Sequence, residues 1–402
     1  MTQTNSVTPE AAKQSGFIML KLAQFGFRAG FASVEEGPIL RTFYFQPTPD
    51  SLFSKVFGKE EEIAALLAVE TVRLFRSKGL LGVEIPQTNR QMIRFVSCLH
   101  TMFTSPATRD MALPLLMGQN PRGEYLFLDL ATQPHALIAG ATGSGKSVFI
   151  SQCLCSMALF RSPQELEIIL VDTKNLDLVL FKSLEHVKET ITSIDVLRTK
   201  LTELLGEVRS RAVTMSGLAR NIREYNALSY GKKLSYKVVI IDELADVLEQ
   251  DNALLSSLDR ADRRDTESIS SLLKMITQLS RASGIHLIIA TQRPSAKMIT
   301  GDSKIGFGDI KANLPARICF RLPTMQDSRV VLDENGAELL LGKGDYLYKA
   351  IGIDTPQRAH SAFVGMSDIA LILEQNQHIR NMYRESKKSE PSADEISTGT
   401  TP

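Results

Sequence analysis

Eight residues constrain this chain more than any other part of it. Gly140-Ala141-Thr142-Gly143-Ser144-Gly145-Lys146-Ser147 fits G-x-x-x-x-G-K-[ST], between the apolar run HALIA and the apolar stretch VFISQCLCSMALF. A strand, a glycine-rich loop and a helix in that order predict a phosphate loop at the open end of a parallel sheet. Glycines let successive amides face a phosphate, and the helix N-terminus adds its dipole. Lys146 is then placed to reach the β and γ oxygens of ATP, and the Ser147 hydroxyl to ligate Mg2+.

Other segments fit the same sheet. EYLFLDL, LEIILVD, YKVVIID, IHLIIATQ and ARICFRL are apolar runs separated by helical stretches, which predicts a mostly parallel α/β sheet covered on both faces. Lys237 to Glu243 is a strand ending in two carboxylates: Asp242 is expected in the magnesium shell and Glu243 beside the attacking water. The competing reading of Glu243 is a helix N-cap. Gln292, at the polar end of a third strand, is placed as a γ-phosphate sensor. Asp172 and Lys174 end another strand and either line the site or form a structural ion pair.

The chain divides into four expected parts. Residues 1–30 form an N-terminal cap with a short helix over Phe17 to Phe31, and residues 31–104 a small α+β unit. In that unit GPILRTFYFQPTP and GLLGVEIPQ read as strands and EEEIAALLAVETVRLFRS as helical. Residues 105–367 form the P-loop domain, and 368–402 a helix followed by a disordered tail rich in Ser, Thr, Glu and Pro.

The 46 basic and 45 acidic residues nearly cancel, so a nucleic-acid contact must come from a local patch. The four cysteines, Cys98, Cys153, Cys155 and Cys319, lack metal-ligand spacing, which predicts reduced, buried thiols in a cytoplasmic protein. No apolar run is long enough to cross a bilayer, so no direct membrane insertion is expected.

The motifs together resemble the FtsK/SpoIIIE family of DNA translocases over roughly residues 30 to 367. LIAGATGSGKS, VVIIDELADVL, GIHLIIATQRPS, IKANLPARICFRL, DSRVVLD and GAELLLGKGDYLY stand in the order and approximate spacing of that family's motor. EEGPILRTFYFQPTPDSLFSKV and GVEIPQ resemble its smaller α domain. The resemblance implies a RecA-like ATPase domain that binds ATP and Mg2+, assembled as a homohexamer around double-stranded DNA. It covers the α and β motor domains, and the chain is expected to lack the family's membrane segment and winged-helix γ domain.

A P-loop site completed by a neighbour's arginine couples hydrolysis to subunit contact. Arg281 is the leading candidate for that role, with Arg317 and Arg329 as competitors. The resemblance turns the loop from Arg293 to Lys311 towards the pore, where Lys297, Thr300, Lys304 and Lys311 suit phosphate contacts that carry no sequence preference. Polar insertions at 251–270 and 302–309 depart from the family's usual form, and the first is a candidate protein-partner site. The expected function is ATP-driven movement of duplex DNA in mobile-element transfer, segregation or a related process. Two other readings stay open: a conjugative coupling or helicase-like ATPase acting on single strands, and a nucleotide-switched scaffold without motor activity.

Overall fold

The computed structural model describes residues 8–175, 177–228, 231–294 and 310–388. Its first unit is a small antiparallel sheet. Helix α1 (Pro9–Gln24) is started by the Thr8 hydroxyl, which accepts from the Ala11 N–H, and by Pro9 at the first helical position. Strands β1 (Ala29–Glu36) and β2 (Leu40–Pro47), helix α2 (Glu60–Leu67), and strands β3 (Arg73–Ser77) and β4 (Leu80–Pro86) follow. The strand order is β1-β2-β4-β3, with every pairing antiparallel.

Two sequence expectations differ here. The first helix begins eight residues earlier than Phe17 and ends at Gln24, before a turn at Gly26 with φ of +73°. Its Ala11, Ile18 and Leu22 share one core with Phe43, Phe45, Leu81 and Val83, so the N-terminal segment packs as part of the small unit. The helical spacing of 60–77 also breaks. Ala68 turns left-handed at φ of 54° and ends α2, and Arg73–Ser77 pair with β4 instead.

The second unit contains α3 (Phe95–Thr104), β5 (Pro114–Gln119), β6 (Tyr125–Asp129), β7 (His135–Ala139), α4 (Lys146–Phe160), β8 (Leu166–Val171) and β9 (Val187–Ile191). There follow α5 (Ile194–Met215), α6 (Ile222–Ala227), β10 (Tyr236–Ile241), α7 (Leu244–Ser257), α8 (Arg260–Asp265), α9 (Ile269–Leu279) and β11 (Ile285–Thr291). The last elements are β12 (Ala316–Phe320), α10 (Met325–Leu332), β13 (Asp345–Lys349), β14 (Gln357–His360) and α11 (Met366–Lys388).

These strands make one sheet in the order β6-β5-β14-β13-β12-β7-β11-β10-β8-β9. The run from β12 to β9 is parallel, and β13, β14, β5 and β6 extend it antiparallel. All six apolar runs expected to be strands are strands. Successive residues explain why they are apolar throughout: Ile138 and Ile240 face the core under α4, whereas Leu137 and Ile241 face the core under α5 and α9.

The polar stretch 251–270 is folded into α7, α8 and the start of α9. Its first residue, Asp251, is buried, pairs with Arg198 at 2.5 Å and accepts from the Ile269 N–H, so it closes the turn into α9. Among the described residues no helix is long and apolar enough to cross a membrane.

Candidate nucleotide site

Strands β7, β11 and β10 lie side by side and parallel, so their C-terminal ends bring Gly140, Gln292 and Asp242 to one rim of the sheet. The loop leaving β7 curls through positive φ at Gly143 (75°) and Gly145 (110°) into α4. Among the described residues no side chain caps α4, so the N–H groups of its first turn are left unmatched at the loop. The Ser144 hydroxyl is likewise buried without a partner among the described residues. A row of unpaired donors at a helix N-terminus is the arrangement a phosphate group satisfies.

Lys146 is almost wholly buried, and its Nζ donates to the Asp242 carbonyl at 2.9 Å and lies 3.4 Å from Asp242 Oδ1. Burial raises the Asp242 pKa above the usual carboxylate range; Lys146 opposes that rise, and the charges of Asp177 and Asp172 reinforce it. The site therefore holds more negative charge than one ammonium offsets, which favours an added cation.

Ser147 and Asp242 suit Mg2+ as a hydroxyl and a carboxylate oxygen. Among the described residues no three acidic, His or Cys side chains gather as a metal cage. The donor set fits an ion that keeps waters and takes its other ligands from substrate phosphates.

Glu243 is tied by both oxygens. Oε1 accepts from Thr291 Oγ1 at 2.7 Å and from the Ala245 N–H at 3.3 Å, and Oε2 accepts from the Gln292 N–H at 2.8 Å. Thr142 of the phosphate loop donates its hydroxyl to Gln292 Oε1 at 2.7 Å. Gly140, Ala141, Thr142, Gly143, Ser144, Gly145, Lys146, Ser147, Asp242, Glu243 and Gln292 thus come together at one rim. The N-cap reading of Glu243 also describes the geometry, because its side chain starts α7.

Two partners were missed in the sequence. Asp177 accepts from the Ser147 hydroxyl at 2.7 Å, and Thr291 orients Glu243. Asp177 lies in a short polar break after β8 that carries no motif. Thr291 was legible only as the last residue of a strand. Asp172 accepts from the Leu178 N–H and so folds that break over the loop, whereas Lys174 pairs with Asp246 at 2.5 Å, and the charges of Glu243 and Asp242 act on it as well.

The remaining candidates lie elsewhere. Arg281 precedes β11 at the end opposite Gln292, exposed and without a partner among the described residues. Arg317 donates to Asp333 at 2.6 Å and to two carbonyls, and Arg329 donates to Asn335 at 2.6 Å. Lys311 is held by Asp333 at 2.6 Å with its side chain mostly covered. Lys297, Thr300 and Lys304, and the 302–309 insertion, lie outside the described residues.

Comparison with known proteins fits this geometry. Residues 1–87 match the FtsK alpha domain and residues 101–296 the FtsK/SpoIIIE family, together more than half of the chain. The DNA translocase FtsK of Treponema pallidum is 35% identical over 361 residues, 87% of this chain and 42% of that protein. The FtsK of Chlamydia trachomatis is 33% identical over 385 residues, 92% of this chain and 45% of that protein. The chain thus spans less than half the length of these relatives.

Among solved structures, the pCW3 conjugation coupling protein TcpA superposes with a TM-score of 0.58 at 22% identity, covering 93% of this chain and 99% of that one. The type VII secretion ATPase EccC of Thermomonospora curvata gives 0.56 at 24% identity, over 71% of this chain and 34% of that one. At these identities the likeness concerns the fold. With a phosphate loop, a paired-carboxylate strand end and both matching sequence families in one chain, the protein belongs to the FtsK/SpoIIIE family of P-loop ATPases.

Proposed function

We propose that this chain hydrolyses ATP and uses the cycle to move double-stranded DNA through a homohexameric ring in the cytoplasm. The observation that carries the reading is the continuous contact from Thr142 through Gln292 to Glu243, which joins the phosphate loop to the catalytic carboxylate across three strands. Loss of a γ-phosphate at Thr142 changes what Gln292 must bond, and Gln292 in turn holds Glu243. Ser147 and Asp242 would hold Mg2+, which would supply charge neutralisation for the bound triphosphate. Lys146 binds its β and γ oxygens, and Glu243 orients water and takes up its proton once released from Thr291.

Arg281 suits a role in a neighbouring subunit's site, because it is exposed at the rim opposite its own phosphate loop, whereas Arg317 is already tied to Asp333. Lys297, Thr300, Lys304 and Lys311 are the proposed backbone contacts. For Lys311 that role requires release from Asp333. The exposed part of 251–270 is the proposed protein contact, and mobile-element transfer or DNA segregation the proposed setting.

The test is steady-state ATPase activity without DNA, with duplex and with single-stranded DNA, at two salt concentrations, for wild type and Glu243→Gln. Duplex stimulation that falls with salt and vanishes in the variant is expected. A preference for single strands overturns the duplex reading in favour of a coupling or helicase-like ATPase. Hydrolysis indifferent to DNA overturns the motor.

A further inference from the structure

The glycine-rich turn before β13 lies directly against the phosphate loop. The Gly344 N–H donates to the Ser144 carbonyl at 2.8 Å. A Cβ placed on Gly145 would lie 2.5 Å from Gly344 N, so the two backbones meet with no room for a side chain. Gly344 is fixed from its other side too, where its carbonyl accepts from the Ser361 N–H at 2.8 Å. A shift of Gly145 on phosphate binding must therefore displace the Gly342–Gly344 turn.

The residue after that turn is a buried carboxylate. Asp345 is 1% exposed and accepts two bonds from Arg358, Nε at 3.0 Å and Nη2 at 2.6 Å, while its Oδ2 also accepts from the Leu341 N–H at 2.8 Å. Arg358, 3% exposed on β14, extends Nη1 to Glu84 Oε2 on β4 at 2.9 Å. Glu84 belongs to the other sheet, and it is buried as well. Arg73 on β3 completes the group, reaching Glu84 at 3.2 Å and the Pro356 carbonyl at 3.3 Å.

Two guanidinium groups and two carboxylates thus balance inside the joint between the sheets. A buried, fully paired arrangement of this kind is a poor source of stability compared with apolar packing, but it fixes geometry tightly. It is rigid where a coupling joint needs to be rigid: a bidentate arginine tolerates little rotation.

We infer that Asp345 and Arg358 are positioning residues that brace the phosphate loop through Gly344 and, through Glu84, transmit its nucleotide state to the small antiparallel sheet. The small sheet then responds to ATP without touching it. This inference rests on the phosphate loop binding ATP, as proposed above. By linkage, the coupling is reciprocal: whatever binds and shifts the small sheet alters nucleotide affinity.

The test is hydrogen exchange of the full chain with and without saturating ATPγS and Mg2+, for wild type and Glu84→Gln. In wild type, exchange is expected to slow about tenfold in peptides covering 140–147, 342–346 and 80–86, and much less in 29–36, the far edge of the same small sheet. Glu84→Gln is expected to keep the protection at 140–147 and 342–346 and to lose it at 80–86. Protection of 140–147 alone in wild type overturns the coupling and leaves the nucleotide reading intact. Equal protection of 80–86 and 29–36 also overturns it, because general stabilisation then accounts for the effect. Protection of neither 140–147 nor 80–86 overturns the nucleotide reading and the coupling together. Protection of 80–86 retained in Glu84→Gln overturns the route through that carboxylate, because the Thr71 bond to the Leu339 carbonyl then suffices; if Glu84→Gln does not fold, Arg358→Lys is read in its place.

Discussion

The parallel strands β7, β10 and β11 end in two rims that both bury titratable side chains but give them different partners. At the C-terminal rim, Lys146, Asp242 and Glu243 are buried with their charges beside unmatched N–H donors. At the N-terminal rim, His135, His286 and Tyr236 are buried without charge. Burial pushes the His286 pKa down to about 4; at His135 burial, reinforced by His286, pushes it down to about 3. The hydrogen bonds agree. The Leu287 N–H donates to His135 Nδ1, which must be unprotonated, and His286 Nδ1 faces the Pro134 carbonyl, to which it must donate. Burial alone therefore does not mark a site. What separates these groups is their partners: Lys146 lies against Asp242 and Glu243 accepts three hydrogen bonds, whereas His135 and His286 meet neutral groups and the nearby Arg211, itself paired with Glu207, opposes a charge on His286.

The comparison breaks most sharply at Lys146. Lys146→Ala is expected to cut ATP hydrolysis by roughly a thousandfold, the scale of losing a charge preplaced for a phosphate. It also leaves Asp242 without the neighbour that opposes its raised pKa, so that carboxyl rises further. A carboxyl held above its unfolded value contributes stability at low pH that is lost as pH rises through the folded value. The variant's stability deficit is therefore expected to be about 3 kcal/mol near pH 8 and smaller at pH 5, as read by urea unfolding.

The N-terminal rim predicts the opposite slope. Both histidines have folded pKa values below the unfolded value of about 6.5, so the unfolded chain binds more protons as pH falls below that value. Between pH 6.5 and 5 each costs about 1.6 kcal/mol of stability, or about 3 kcal/mol for the pair. His286→Gln should remove about half of that dependence. A variant with an unchanged slope would mean that the rim accepts charge, and the contrast between the two ends would fail.

The C-terminal rim was far more legible in the sequence than the joint between the sheets. A strand, a glycine-rich loop and a helix are contiguous, so Gly140 to Ser147 announce their own geometry, and the apolar runs of β10 and β11 place Asp242, Glu243 and Gln292 by register alone. Glu84 and Arg358 are 274 residues apart, and no local pattern links them. Strand β3 was hidden for a different reason. VETVRLFRS continues the helical spacing of α2, and only the left-handed turn at Ala68 and pairing to β4 make it a strand. Asp177 escaped because its role comes from the fold of a loop over Ser147.

The smallest effect probes whether charge at the C-terminal rim is held ready or held back. In this structure Glu243 spends both oxygens on protein donors, and Thr291 supplies the shortest of these bonds at 2.7 Å. Oε1 already accepts two of these bonds, so a water bound at that oxygen competes with Thr291, and a hydrogen bond to a charged group is worth about 1.5 to 3 kcal/mol. Thr291→Val keeps the β-branched shape in a fully buried strand and removes the donor to Glu243 together with the acceptor of the Arg293 N–H at 3.1 Å. Because the Ala245 and Gln292 N–H bonds remain, only part of that energy is recovered. The DNA-free ATPase rate is therefore expected to rise about threefold to fivefold with the KM for ATP unchanged. A fall in kcat at constant KM would show instead that Thr291 holds Glu243 in its working orientation, and the rim would be one whose charges are already aligned for chemistry.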